Sequence, residues 1–174
     1  MVINKIVNSL LVALVLVGPM VAKSQAQPSV SLSDSKEKVM IGNRFSYLED
    51  ASNQYTLNDI LEETTQQKFK PFPKTTPSLG YINHPIWIKL TIDNQHASLE
   101  DWYLDVDYIL LDTLEVYYQK DGSWQKHLMG DHIPIEDWPT PHRSFVAPIK
   151  APSQYPYLYS SKLYRFYFST NHDF

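Results

Sequence analysis

The 174 residues carry a formal charge of -4, no cysteine, twelve prolines and a 13% share of aromatic side chains. That length allows one ordinary domain once a targeting segment is set aside. The acidic balance argues against nucleic acid as a partner, which would need a basic face, and the lack of thiols excludes disulfides, thiolate zinc sites and cysteine nucleophiles.

Residues 1–26 read as a signal peptide. Lys5 supplies the positive start, Ile6 to Val17 is a mostly apolar run, and Gly18-Pro19 breaks its helix. Ser24-Gln25-Ala26 then offers small residues where a signal peptidase cuts. The run is shorter than the roughly 20 residues of a membrane span. The mature chain is therefore expected in the periplasm, tied to a membrane only by an uncleaved signal or a separate membrane partner. Its charge is near -6, because the signal takes Lys5 and Lys23 with it.

Residues 27–37 are polar and aperiodic and read as a flexible leader. Residues 38–174 form the expected domain. Val39 to Leu48 is a first strand region, with Phe45 and Tyr47 on one side. Glu49 to Gln54 is a turn. Thr56 is a good N-cap, and Asp59 three residues later completes a capping-box pattern, which predicts one short helix over Leu57–Glu63. Pro71, Pro73 and Pro77 make residues 64–80 a loop.

The clearest stretch is Tyr81 to Asn94. Ile86, Ile88, Leu90 and Ile92 alternate with Trp87, Lys89 and Thr91, which is a strand with one face in an apolar core. Trp102, Leu104 and Val106 repeat the pattern, as do Leu114, Val116 and Tyr118. Asp121-Gly122 is a hairpin turn and Trp124 to Leu128 its return strand. A proline-rich loop over 130–141 leads to strands at Arg143–Ile149 and Leu163–Phe168. Short strands at this spacing, with one helix, predict an all-β antiparallel sandwich behind a signal-peptide helix.

The order of landmarks also resembles a known family. Tyr-Leu-Glu-Asp at 47–50, Gly-Tyr followed by Trp-Ile-Lys-Leu at 80–90, Gly-Asp at 130–131 and Pro-His-Arg at 141–143 follow one another as in the type 2 extracellular domain of bacterial seven-transmembrane receptors with diverse intracellular signalling modules. The resemblance covers about residues 38–170. It implies a jelly-roll-like sandwich similar to carbohydrate-binding modules, serving as the sensory input of an inner-membrane receptor. It supplies no catalytic or ligand residues to carry over. The chain ends at Phe174, without the membrane helices and output domain of the family pattern.

Four residues stand out for ligand binding. Trp87 faces either solvent or a second layer, and an exposed indole can stack on the apolar face of a sugar. Trp124 beside the hairpin turn and Trp138 in the long loop are placed similarly, whereas Trp102 belongs to the core. Arg143 can hold a carboxylate with its planar fork, either from a ligand or as a latch to Asp131 or Glu49-Asp50. His84, Asp131-His132 and His142 match no metal spacing, so no metal and no cofactor is expected. No phosphate loop, HExxH or GxSxG occurs. Asp105 and Glu115 could face each other across neighbouring strands, the sole hint of a glycosidase-like pair. The expected function is thus a non-enzymatic sensory domain with a small-molecule ligand such as a saccharide. An envelope protein-interaction module is the alternative, and a glycoside-acting hydrolase the third reading.

Overall fold

The computed structural model describes residues 28–32, 38–73, 82, 84–95, 101–107, 111–150, 157–160 and 166–169. The signal segment and most of the leader lie outside them. The strands are β1 (Val30–Leu32), β2 (Lys38–Met40), β3 (Ser46–Glu49), β4 (Lys70–Pro71), β5 (Ile86–Lys89), β6 (Ile92–Asn94), β7 (Asp101–Val106), β8 (Leu114–Lys120), β9 (Ser123–Met129), β10 (Phe145–Lys150), β11 (Tyr157–Ser160) and β12 (Phe166–Ser169). Two short helices, α1 (Leu57–Leu61) and α2 (Glu63–Gln66), sit between β3 and β4.

The strands make a four-stranded sheet ordered β10-β7-β12-β2 and a six-stranded sheet ordered β4-β3-β5-β11-β8-β9. Within both, neighbours run antiparallel. A third pair, β1 with β6, is parallel. The alternation explains the layers. Trp102, Leu104 and Val106 of β7, with Phe145, Ala147 and Ile149 of β10, share one buried cluster with Ile86 and Ile88 of β5 and Leu114 and Val116 of β8. That cluster is the core of a β-sandwich. Each buried Val, Leu, Ile or Phe among them stabilises the fold by roughly 1.5–3 kcal/mol, and with no cysteine in the chain burial has no disulfide to assist it.

The odd members of the central strand do not face water. Trp87 is 1% exposed and packs with Ile60 of α1 in a second apolar cluster on the outer side of the six-stranded sheet. Tyr55, Leu57, Leu61, Phe69, Tyr117 and Trp124 surround it. The sandwich therefore has a partial third layer, supplied by the two helices.

Several expectations change. The strand region from Val39 to Leu48 divides at Gly42, whose φ is +61°, and its halves enter different sheets. The central strand also divides: β5 lies in the six-stranded sheet, while β6 pairs with β1. Residues 30–32, read as flexible leader, are strand β1, with Val30 and Leu32 fully buried. The single helix over Leu57–Glu63 becomes two, because Glu62 is extended at φ -65° and ψ 137°. Helix resumes at Glu63, and Thr65 is buried in this second segment. Strand β11, which the sequence pattern did not single out, lies between β5 and β8.

The two sheets are joined at one edge. His127 on β9 donates from Nε2 to the Pro148 carbonyl of β10 at 2.9 Å, and its ring stacks on Tyr118 at 4.8 Å. A carbonyl only accepts, so Nε2 carries the hydrogen.

Candidate ligand cleft at the edge of the six-stranded sheet

The cleft is built on the Tyr-Leu-Glu-Asp segment. Asp50 is 1% exposed, and its carboxylate accepts from Ser52 Oγ at 2.9 Å, Gln54 N at 3.2 Å and Tyr55 N at 3.0 Å. Its own N–H donates to the Pro85 carbonyl at 2.9 Å. One buried acid thus ties the turn after β3 to the start of β5. The turn delivers Thr56 to the N-cap of α1. There Thr56 N donates to Asp59 Oδ2 at 2.7 Å and Asp59 N donates to Thr56 Oγ1 at 3.4 Å, the reciprocal pairing of a capping box. The Thr56 hydroxyl, followed by its backbone N–H, holds the Asp59 carboxyl below its ordinary value.

The second helix is anchored from beneath. Lys89 on β5 donates to Gln66 Oε1 at 2.7 Å, and Gln66 Nε2 donates to the Ile60 carbonyl at 2.5 Å. Burial pushes the Lys89 ammonium below its usual range. The chain leaves α2 through Lys68, whose N–H donates to Thr65 at 3.0 Å, and enters the two-residue β4.

These constraints leave an open cleft of about 520 Å³ lined by Tyr47, Leu48, Glu49, Gln67, Lys68 and Lys70. Tyr47 is held edge-on against Phe72, ring centroids 5.5 Å apart. Glu49 Oε2 lies 3.0 Å from His84 Nε2. Lys68 Nζ donates to the Tyr55 hydroxyl at 3.1 Å and lies over that ring. Lys70 is exposed on the edge strand. The lining therefore offers a phenol, a carboxylate, a carboxamide and two ammonium groups around one concavity.

The cleft contains none of the four residues chosen from sequence for ligand binding. Trp87 is enclosed beneath α1, so its ring offers no open face for stacking. Trp124 is half-buried against the same cluster. Trp138 donates from Nε1 to the Ile133 carbonyl at 3.0 Å and rests on Phe145 at 4.8 Å, so it fixes its loop to the core. Arg143 is exposed and, among the described residues, forms no ion pair. Among the described residues no ion pair joins Arg143 to Asp131, Glu49 or Asp50; Glu49 turns to His84 and Asp50 to its own turn. The sequence signal for the cleft is present: Tyr47 and Glu49 lie two apart in the Tyr-Leu-Glu-Asp motif, and Lys68 and Lys70 flank Phe69 with alternate spacing.

The Asp105 and Glu115 pairing is also corrected. Asp105 lies on β7 of the four-stranded sheet, and Glu115 on β8 of the six-stranded sheet. Their neighbours Leu104, Val106, Leu114 and Val116 fill the core between the sheets, so the two acids lie on opposite outer faces. Stacked sheets are about 10 Å apart, which no carboxylate pair spans through a packed core. Asp105 is 3.8 Å from Lys38, and Glu115 accepts from Lys126 at 2.8 Å and from the Tyr117 hydroxyl at 2.5 Å. Among the described residues no three His, Asp or Glu side chains converge as a metal site requires.

A family model described as 7TMR-DISM extracellular 2 matches residues 42–170. The chain belongs to this family. The 7TMR-DISM extracellular 2 domain is a receptor's extracellular part, which makes this chain an extracytoplasmic sensory domain. The match takes in the cleft, both helices and strands β3 to β12. No helix among the described residues is long and apolar enough to cross a membrane. Comparison with curated proteins gives no match.

Proposed function

We propose that this 7TMR-DISM extracellular 2 domain is the ligand-sensing head of a bacterial signalling receptor, and that it takes a small polar ligand, a saccharide, in the cleft beside β3. The observation that carries this reading is the cleft itself, formed on the Tyr-Leu-Glu-Asp segment inside the family match. Its size lies within the roughly 300–1,000 Å³ of small-molecule sites. Its lining suits a polyol: Glu49 and Gln67 accept hydroxyl hydrogens, Lys68, Lys70 and Gln67 donate, and the Tyr47 ring gives an apolar wall. Residues 1–26 fit the export this location requires, with the mature domain beginning after the cut.

A glycan array followed by thermal-shift measurements on the full chain tests the proposal. A saccharide that raises the melting temperature, and no longer does so in Tyr47→Ala, supports it. Silence across neutral and charged sugars removes it.

A further inference from the structure

The floor of the cleft is an unfinished sheet edge. Strand β3 pairs with β4 only at Ser46 with Pro71 and Tyr47 with Lys70. Hydrogen-bonded positions alternate along an antiparallel strand. Phe45 accepts from Phe72 N on the β4 side at 3.1 Å, and Asp50 donates to Pro85 on the β5 side. Odd-numbered positions of β3 therefore direct their backbone groups towards β4, and Glu49 is next in that series. The residue that continued pairing would set opposite Glu49 is Lys68, but its N–H is committed to Thr65 in the turn after α2. Among the described residues no strand faces Glu49 across this edge.

The charges around that edge are unbalanced. Lys68 and Lys70 both line the cleft, and among the described residues no carboxylate pairs with either. The one acid of the lining, Glu49, has its carboxylate against His84. In a chain with a net charge of -4 this is a local cationic spot at the open edge of β3. Ammonium groups recognise a carboxylate, and charge-assisted hydrogen bonds of this kind are about twice as strong as neutral ones.

We propose that the ligand of this cleft bears a carboxylate, held by Lys70 and Lys68 at the open edge of β3. The ligand is then an acidic sugar of the uronate type rather than a neutral one. This rests on the reading of the cleft as a small-ligand site.

Calorimetric titration of the full chain with galacturonate, galactose and succinate tests it. Galacturonate is expected to bind at least about tenfold more tightly than galactose. That preference should fall about tenfold in Lys70→Gln and weaken with added salt. Lys120→Gln, at the distant hairpin, should leave it unchanged. Equal binding of galacturonate and galactose, or a preference that survives Lys70→Gln and Lys68→Gln, overturns the carboxylate inference and leaves the saccharide reading standing. Lysine-dependent binding of succinate without either sugar upholds the carboxylate and removes the saccharide. If none of the three binds, the carboxylate inference and the small-ligand reading both fall.

Discussion

Ile60 of α1 and Trp87 of β5 seal each other from solvent, at 0% and 1% exposure. This contact fastens the helical segment to the outer face of the six-stranded sheet, and the helical segment carries Gln67 and Lys68 to the cleft. Ile60→Ala removes the cover's central anchor. Large-to-small changes at such sites cost about 2–5 kcal/mol. Urea unfolding should show a loss in that range, and acrylamide should quench tryptophan fluorescence more strongly as Trp87 becomes accessible. A loss below about 1 kcal/mol would mean the helices are held chiefly elsewhere.

The inner face of the sandwich was legible because period two is a local property. Ile86, Ile88, Leu90 and Ile92 announce it, as do Trp102, Leu104 and Val106, and all are buried. What covers the opposite face was not legible. Whether Trp87 meets solvent or a second layer depends on where α1 docks, which is a non-local matter. The same limit applied to Asp105 and Glu115: each alternates outward on its strand, yet local sequence does not say which sheet a strand joins. Strand β11 lies close to Pro152 and Pro156 in a tyrosine-rich run without a long apolar stretch, so it did not stand out. The cleft was missed for a different reason. The candidates were chosen for chemistry a lone side chain can perform, whereas the cleft arises where a strand runs out of partner.

Asp50 is the second point of leverage. Its carboxylate satisfies three donors while almost wholly buried. Asp50→Ala leaves two backbone N–H groups and one hydroxyl without this acceptor, and because Ser52 and Gln54 are exposed to water each lost contact costs nearer the low end of about 1–3 kcal/mol. Asp50→Asn should lie between wild type and alanine. Its single oxygen can keep Ser52 and Gln54, which share Oδ1, but its NH₂ meets the Tyr55 donor. Denaturant midpoints should therefore rank wild type, Asn, Ala. An asparagine variant as stable as wild type would show that the Tyr55 contact contributes little.

Two glycines with positive φ should respond very differently to alanine. Gly130 has φ +145°, and a Cβ there would lie 2.3 Å from the Asp112 carbonyl oxygen and 2.8 Å from Thr113 Cα. Those are backbone atoms, held where Asp131 N donates to Leu111 at 2.7 Å, so they cannot swing aside. Gly122, at φ +77° in the β8–β9 hairpin, has open space around it. Gly122→Ala should cost about 1–2 kcal/mol from the left-handed backbone alone. Gly130→Ala should cost clearly more, and soluble yield together with melting temperature will separate the two. Equal losses would contradict the close approach at residues 112–113.

The His127 clasp between the sheets predicts how stability depends on pH. Burial pushes the imidazole below its ordinary 6.5, and the Pro148 carbonyl that accepts from it opposes this only in part. The folded value is therefore depressed relative to the unfolded chain, which takes up the extra proton first. This contribution is fully present above about pH 6.5 and is lost as pH falls through the depressed value. Asp59, held below 3.8, adds a further loss only in stronger acid, since its contribution too is present above the unfolded value. His127→Gln keeps a donor for Pro148 but cannot titrate. Melting temperatures of wild type and variant should run parallel above about pH 7 and diverge in mild acid, with the wild type falling faster. Parallel curves throughout would mean that protonated His127 is tolerated at the sheet edge and that the clasp does not respond to acid.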